Sequence, residues 1–133
     1  MEKDAASILV VDDDREIVRS LELFLGRYFT SVITELDPYK IESILKGKEI
    51  NVVLLDMNFR RGIRSGEEGF MWLKRIRKAS PGTEVVMITA YGDVEMAIRA
   101  IKEGAHDFIM KPWINEKMLA TVMAAVRQSV SNQ

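Results

Sequence analysis

The chain of 133 residues contains no cysteine. Disulfides, thiolate metal sites and cysteine nucleophiles are therefore excluded, and the lack fits a reducing compartment. Long apolar runs are missing too, so no segment has the length of a membrane span. The opening Met1-Glu2-Lys3-Asp4 is charged where a secretory leader would be apolar. The expectation is a soluble, cytoplasmic protein with no membrane partner. An excess of one charge is lacking as well: 19 Lys and Arg face 20 Asp and Glu, a formal net charge of -1. That balance argues against direct nucleic acid binding over a broad surface, which needs a basic face. The lone histidine, His106, is too little for a histidine metal centre and reads as structural or surface. Repeats, low-complexity tracts and Pro/Gly/Ser-rich linkers are absent, so residues 1–133 read as one domain with one core.

What is present is an apolar fraction of 47%, enough for that core. Five apolar runs stand out: Ile8-Leu9-Val10-Val11, Ser31-Val32-Ile33-Thr34, Val52-Val53-Leu54-Leu55, Val85-Val86-Met87-Ile88 and Phe108-Ile109-Met110. The first, third and fourth are solidly apolar, as strands covered on both faces are. Helical spacing fills the gaps. Ile17, Leu21, Phe24, Leu25 and Tyr28 share a face after Asp14, an N-cap residue type. Pro38 opens a short helix through Ile41, Ile44 and Leu45 that stops near Gly47. Phe70, Leu73 and Ile76 recur until Pro81-Gly82. Val94, Ala97, Ile98 and Ile101 form the next stripe, closed by Gly104, and Leu119, Val122, Met123 and Val126 the last. Trp72 and Trp113 are expected to be half-buried packing residues. Strand and helix alternating five times predict an α/β fold, a parallel sheet with helices on both faces. In such a doubly wound sheet the ligand site lies past the carboxyl ends of the strands.

Those ends carry Asp12-Asp13-Asp14 after the first run, Asp56 after the third, Thr89-Ala90 after the fourth and Lys111-Pro112 after the fifth. Carboxylates packed together repel and take up protons unless a cation sits among them. A hard divalent ion answers that need, and Mg²⁺, which accepts a few carboxylates and a phosphate oxygen, fits best. Phosphoryl transfer asks a protein for positioning and charge neutralisation. On this reading Asp56 is the nucleophile and becomes an acyl phosphate. Asp12 and Asp13 hold the metal, Lys111 brings a second positive charge and Thr89 a hydroxyl donor. Asp14 reads as the helix cap.

The segments ILVVDD (Ile8 to Asp13), VLLDMN (Val53 to Asn58), MITAY (Met87 to Tyr91) and GAHDFIMKP (Gly104 to Pro112) resemble the receiver domain of bacterial two-component response regulators over nearly the whole chain. The resemblance implies a flavodoxin-like five-stranded parallel sheet of order 2-1-3-4-5. It implies that Asp56 is the phosphoacceptor, that Asp13, Asp56 and the main-chain carbonyl of Asn58 ligate Mg²⁺ directly, and that Asp12 acts largely through metal-bound water. Lys111 then contacts the phosphoryl group. Thr89 and Phe108 are the switch pair, with Tyr91 and Asn58 placed to tune phosphoryl lifetime. A sensor histidine kinase is the implied donor. The face of the fourth helix, fifth strand and fifth helix, roughly Asp93 to Arg127, is the implied output or homodimer surface. The stretch Gly92 to Ala97 with Lys111-Pro112-Trp113 is most similar to receivers of NtrC-type transcriptional regulators, which continue into an ATPase and a DNA-binding domain. The chain is accordingly expected to be the N-terminal part of a longer regulator, a signalling module and not an enzyme.

One departure stands out. Arg60 occupies the place of the family's proline, and the connection Asn58 to Glu68 is about five residues longer than usual, within ordinary loop lengths. Arg60, Arg61 and Arg64 there read either as a solvated basic loop or as a reach toward the phosphoryl group or the donor kinase. Other functions fit less well. An aspartyl phosphatase would want an acid where Asn58 stands, and a nucleotide or flavin binder a Gly-rich loop where the three acids stand. The remaining alternative is a degenerate receiver that acts as a phosphorylation-independent interaction domain.

Overall fold

The computed structural model describes residues 2–57 and 67–133. Among them five strands alternate with five helices: β1 (Asp4–Val11), α1 (Arg15–Leu25), β2 (Phe29–Glu35), α2 (Ile41–Gly47), β3 (Val52–Asp56), α3 (Glu67–Ala79), β4 (Glu84–Ala90), α4 (Val94–Lys102), β5 (Asp107–Lys111) and α5 (Asn115–Ser131). Every paired strand runs parallel, in the order β2-β1-β3-β4-β5. The expected doubly wound, flavodoxin-like sheet is present, with its strand order reversing between β1 and β3.

The aliphatic runs explain the middle of the sheet. Ile8 to Val11, Val52 to Leu55 and Val85 to Ile88 all have no exposed surface. Successive side chains point to opposite faces, so Ile8, Val10, Leu54, Val86 and Ile88 join Leu21, Leu25 and Val122 of α1 and α5. Their neighbours Leu9, Val11, Val53, Leu55 and Met87 join Ile41, Phe70, Leu73 and Ile76 of α2 and α3 on the other face. Each fully buried aliphatic side chain contributes about 1.5–3 kcal/mol. This two-sided core holds the carboxyl ends of the strands in fixed register.

The helices follow the expected stripes with four differences. The α1 helix ends at Leu25 and Val18 shares its buried face, while Tyr28 lies beyond the end with its ring edge-on to Phe24, 5.5 Å between centroids. In α3, Trp72 is not half-buried: it is 1% exposed and packs in the second cluster. Glu67 and Glu68, read as loop, already belong to α3. The largest difference is in α4. Its buried residues are Ala97 and Ala100, whereas Val94, Ile98 and Ile101 are 55%, 50% and 42% exposed. The helix approaches the sheet over its small side chains, and the larger apolar stripe lies a fraction of a turn away, facing outward. Gly104 then ends α4 at φ +110, a backbone region open to glycine.

Candidate functional site

The site grows from the ends of β1 and β3. Asp12 follows β1, and its backbone N–H donates to the Glu35 carbonyl at 3.2 Å. Its side chain, with no exposed surface, accepts from the Asp14 N–H at 2.9 Å. Asp14 in turn caps α1, its carboxylate accepting from the Glu16 N–H at 2.9 Å. One local hydrogen-bond relay thus sets Asp12 apart from Asp14, and Asp14 is the helix cap that its residue type led one to expect. Asp56 closes β3, is 1% exposed, and pairs in register with Ile88 of β4. The next residue, Met57, donates its N–H to the Ile88 carbonyl at 2.9 Å.

Carboxylate oxygens of Asp12, Asp13 and Asp56 all lie within 4.8 Å of one another. Lys111, last in β5, reaches across to them: its Nζ is 3.4 Å from Asp12 Oδ2 and 3.3 Å from Asp56 Oδ1. Burial raises the Asp12 carboxyl above its ordinary value despite the opposing Asp14 N–H and Lys111. Burial would lower the Lys111 ammonium, but attraction to Asp56 and Asp12 outweighs it and raises the group. Three carboxylates this close in a poorly solvated place repel one another, and among the described residues Lys111 pairs with two of them. That donor set, all hard oxygen, fits a small divalent ion such as Mg²⁺ and does not suit a soft metal.

Thr89 points to the same need from the other side. It is 1% exposed, and its Oγ1 is buried with no hydrogen-bond partner. A buried hydroxyl without an acceptor costs about 1–3 kcal/mol, so the strand end next to Asp56 carries an unused donor. Thr89 does not cap α4; Asp93 does, accepting from the Met96 N–H at 3.4 Å. Phe108 stands opposite Met87 in register and packs half-buried against the second cluster. Tyr91 is 81% exposed. The lone histidine sits at the far end of the sheet, His106 Nδ1 lying 3.8 Å from Glu84 Oε1.

Asn58, Arg60, Arg61 and Arg64 lie outside the described residues. The first turn of α3 crowds the site. A Cβ on Gly69 would fall 3.0 Å from Met57 Cα and 3.1 Å from its carbonyl oxygen. Only glycine lets the first turn of α3 come so near the residue after Asp56. Glu68, one residue earlier, has a buried oxygen without a partner, and it faces Asp13, Arg15, Asp37 and Tyr39 across a cleft of about 260 Å³. Sequence reasoning missed both. The signal for Gly69 was a glycine inside a helical pattern, which marks a close backbone approach.

With this geometry in place, the comparisons are specific. The family model for the response regulator receiver domain matches residues 8–123. The response regulator protein PilR of Pseudomonas aeruginosa is 33% identical over 119 residues, which make up 90% of this chain and 26% of PilR. The transcriptional regulatory protein FixJ of Bradyrhizobium diazoefficiens is 30% identical over 92% of this chain and 57% of its own length. The chain therefore spans about a quarter to somewhat over half of these curated relatives. Among solved structures, the N-terminal signal receiver domain of a Bacteroides fragilis two-component response regulator superposes with a TM-score of 0.83 at 39% identity, covering 92% of this chain and 98% of that one. The beryllofluoride-activated NtrC4 receiver domain dimer gives 0.80 at 31% identity, with 92% and 98% covered. Fold, buried acids and relatives agree: this chain belongs to the response regulator receiver domains, the signal-receiving modules of two-component systems, and is similar to those of NtrC-type transcriptional regulators.

Proposed function

We propose that this receiver takes a phosphoryl group on Asp56. The observation that carries the reading is the placement of Asp56 itself: buried at a strand end, 3.3 Å from a lysine ammonium and inside a group of three carboxylates. In the transfer an Asp56 carboxylate oxygen attacks phosphorus and forms a P–O bond. The P–N bond to the donor histidine breaks, its electron pair stays on the imidazole, and that ring takes up a proton. Asp12, Asp13 and Asp56 would hold Mg²⁺, with the main-chain carbonyl of Asn58, and the charge it would supply there is what phosphoryl oxygens need. Lys111 stays within reach of the Asp56 carboxylate and neutralises a further oxygen. Thr89 then gains the acceptor that its hydroxyl lacks, and Phe108 follows it inward. That is a shift between two conformers of one fold.

A cytoplasmic sensor histidine kinase is the donor on this reading. The exposed apolar residues of α4, with β5 and α5, form the face that contacts output domains or a second receiver. In the full-length protein those output domains are an ATPase and a DNA-binding domain that control transcription, and this domain itself promotes only its own phosphorylation and dephosphorylation. The test is intact mass after incubation with Mg²⁺ and acetyl phosphate. One added phosphoryl group is expected, absent from Asp56→Ala and from a chelated sample. An adduct that persists on Asp56→Ala would sink the assignment.

A further inference from the structure

Few side chains hold α4 to the rest of the molecule. Its buried contribution is two alanines, Ala97 and Ala100, with Met96 partly buried beside them. Alanine methyls bury little apolar area, so other contacts must set where this helix sits. One residue stands out. Arg99 sends Nη1 to Glu67 Oε1 at 2.8 Å and Nη2 to Glu67 Oε2 at 3.3 Å, a two-pronged pair with the first residue of α3. Its Nε donates to Glu103, one turn further along α4. The flat face of the guanidinium lies over the Phe70 ring, 3.9 Å from the centroid, and Phe70 is itself 3% exposed. Most exposed ion pairs are worth little because long side chains must be ordered to make them. Here the fork geometry, the helix-mate Glu103 and the ring leave Arg99 few alternatives, the arrangement in which arginine cannot be replaced by lysine.

The position of this socket gives it a role. Glu67 opens α3, and Gly69, two residues on, comes close to the Met57 backbone. On the other side, Thr89 at the end of β4 leads through Ala90 to Asp93 straight into α4. The helices that follow β3 and β4 in sequence therefore meet at the Glu67–Arg99 pair. In this arrangement the Thr89 hydroxyl has no partner. Drawing it toward an anion on Asp56 pulls residues 90–93 and the start of α4 with it, while Arg99 keeps α4 tied to α3.

We propose that the Arg99 socket is a latch that ties α4 to the start of α3 and opposes the movement of Thr89 toward an anion on Asp56. This rests on the assignment of Asp56 given above. Because a coupling between two sites is reciprocal, releasing the latch must tighten anion binding at Asp56, and anion binding must loosen α4.

The test titrates the full chain with beryllofluoride at saturating Mg²⁺, reading bound fluoride by fluorine NMR, and follows amide hydrogen exchange in α4. Arg99→Ala is expected to bind roughly fivefold more tightly, the low end of common coupling factors, with faster exchange across α4 in the free protein. Glu67→Gln should do the same to a smaller extent, and it carries the test if Arg99→Ala fails to fold. Arg99→Lys, which keeps the charge but not the fork, should bind nearly as tightly as Arg99→Ala. Unchanged or weaker binding by Arg99→Ala, with the wild type binding normally, overturns the latch alone. A wild type that binds no beryllofluoride overturns the Asp56 assignment and the coupling together.

Discussion

The two ends of the sheet bury polar groups in opposite ways. At the amino end, Asn51 accepts from the Ser7 N–H at 2.9 Å and donates to Ser129 at 3.3 Å. Thr83 donates to the Ile50 carbonyl at 2.7 Å, and Asn132 donates to Glu84 at 2.6 Å. Every one of these buried groups has its partner within the chain. At the carboxyl end, Asp12 and Asp56 share one lysine and the Thr89 hydroxyl has nothing. Among the described residues the buried side-chain polar atoms without partners are those of Thr89, near the end of β4, and of Glu68 and Trp72, in the first turns of α3. The amino end is finished by its own sequence. The carboxyl end keeps buried polar groups that no described residue satisfies.

The comparison can be broken most severely at the finished end. Asn51→Ala strips the Ser7 amide and the Ser129 hydroxyl of a buried partner, and should cost about 3 kcal/mol, read as a lower urea midpoint with acetyl phosphate labelling retained. A midpoint unchanged from the wild type would mean the amino end is not the stabilising one. Gly69→Ala probes the joint between β3 and α3. Its Cβ meets the Met57 backbone, so a loss of about 2 kcal/mol is expected, together with weaker Mg²⁺ binding because the Asp56 end of β3 must shift.

Asp12→Asn sharpens the contrast. Burial raises the Asp12 carboxyl, so its charge costs stability at neutral pH, and the neutral variant should be more stable by about 1 kcal/mol without metal. The same variant should lose most of the stabilisation that Mg²⁺ gives the wild type, about 2.7 kcal/mol at a hundredfold excess over Kd. The smallest effect is with pH. The folded Lys111 group lies above its ordinary 10.5. Its pairs therefore contribute stability below about 10.5, the unfolded value, and lose it as pH rises through the higher folded value. Going up from neutral pH, the Tm difference between wild type and Lys111→Met should shrink only in that alkaline range. A difference that fades near neutral pH would contradict the ion pairs with Asp12 and Asp56.

Much of this was legible without coordinates. The runs Ile8 to Val11, Val52 to Leu55 and Val85 to Ile88 define central strands because only a sheet covered on both faces uses unbroken aliphatic sequence. The acids that follow two of them fall at the carboxyl edge by topology alone. Asp14 was legible as a cap for a local reason: its partner, the Glu16 N–H, is two residues away.

What the amino-acid sequence determined by itself is therefore whatever depends on neighbours in the chain: strand content, capping, the order of the elements, and which acids lie at the site's edge. The tertiary structure alone decided which of two adjacent stripes α4 turns inward. The sequence pattern puts Val94, Ala97, Ile98 and Ile101 on one face, yet of these only Ala97 is buried, and Ala100 is buried with it. It alone decided that Trp72 is engulfed, that the Thr89 hydroxyl is stranded, and that Glu67 finds Arg99. Periodicity reports that a helix has an apolar side, but packing between elements distant in sequence fixes which side is buried and which charged groups meet.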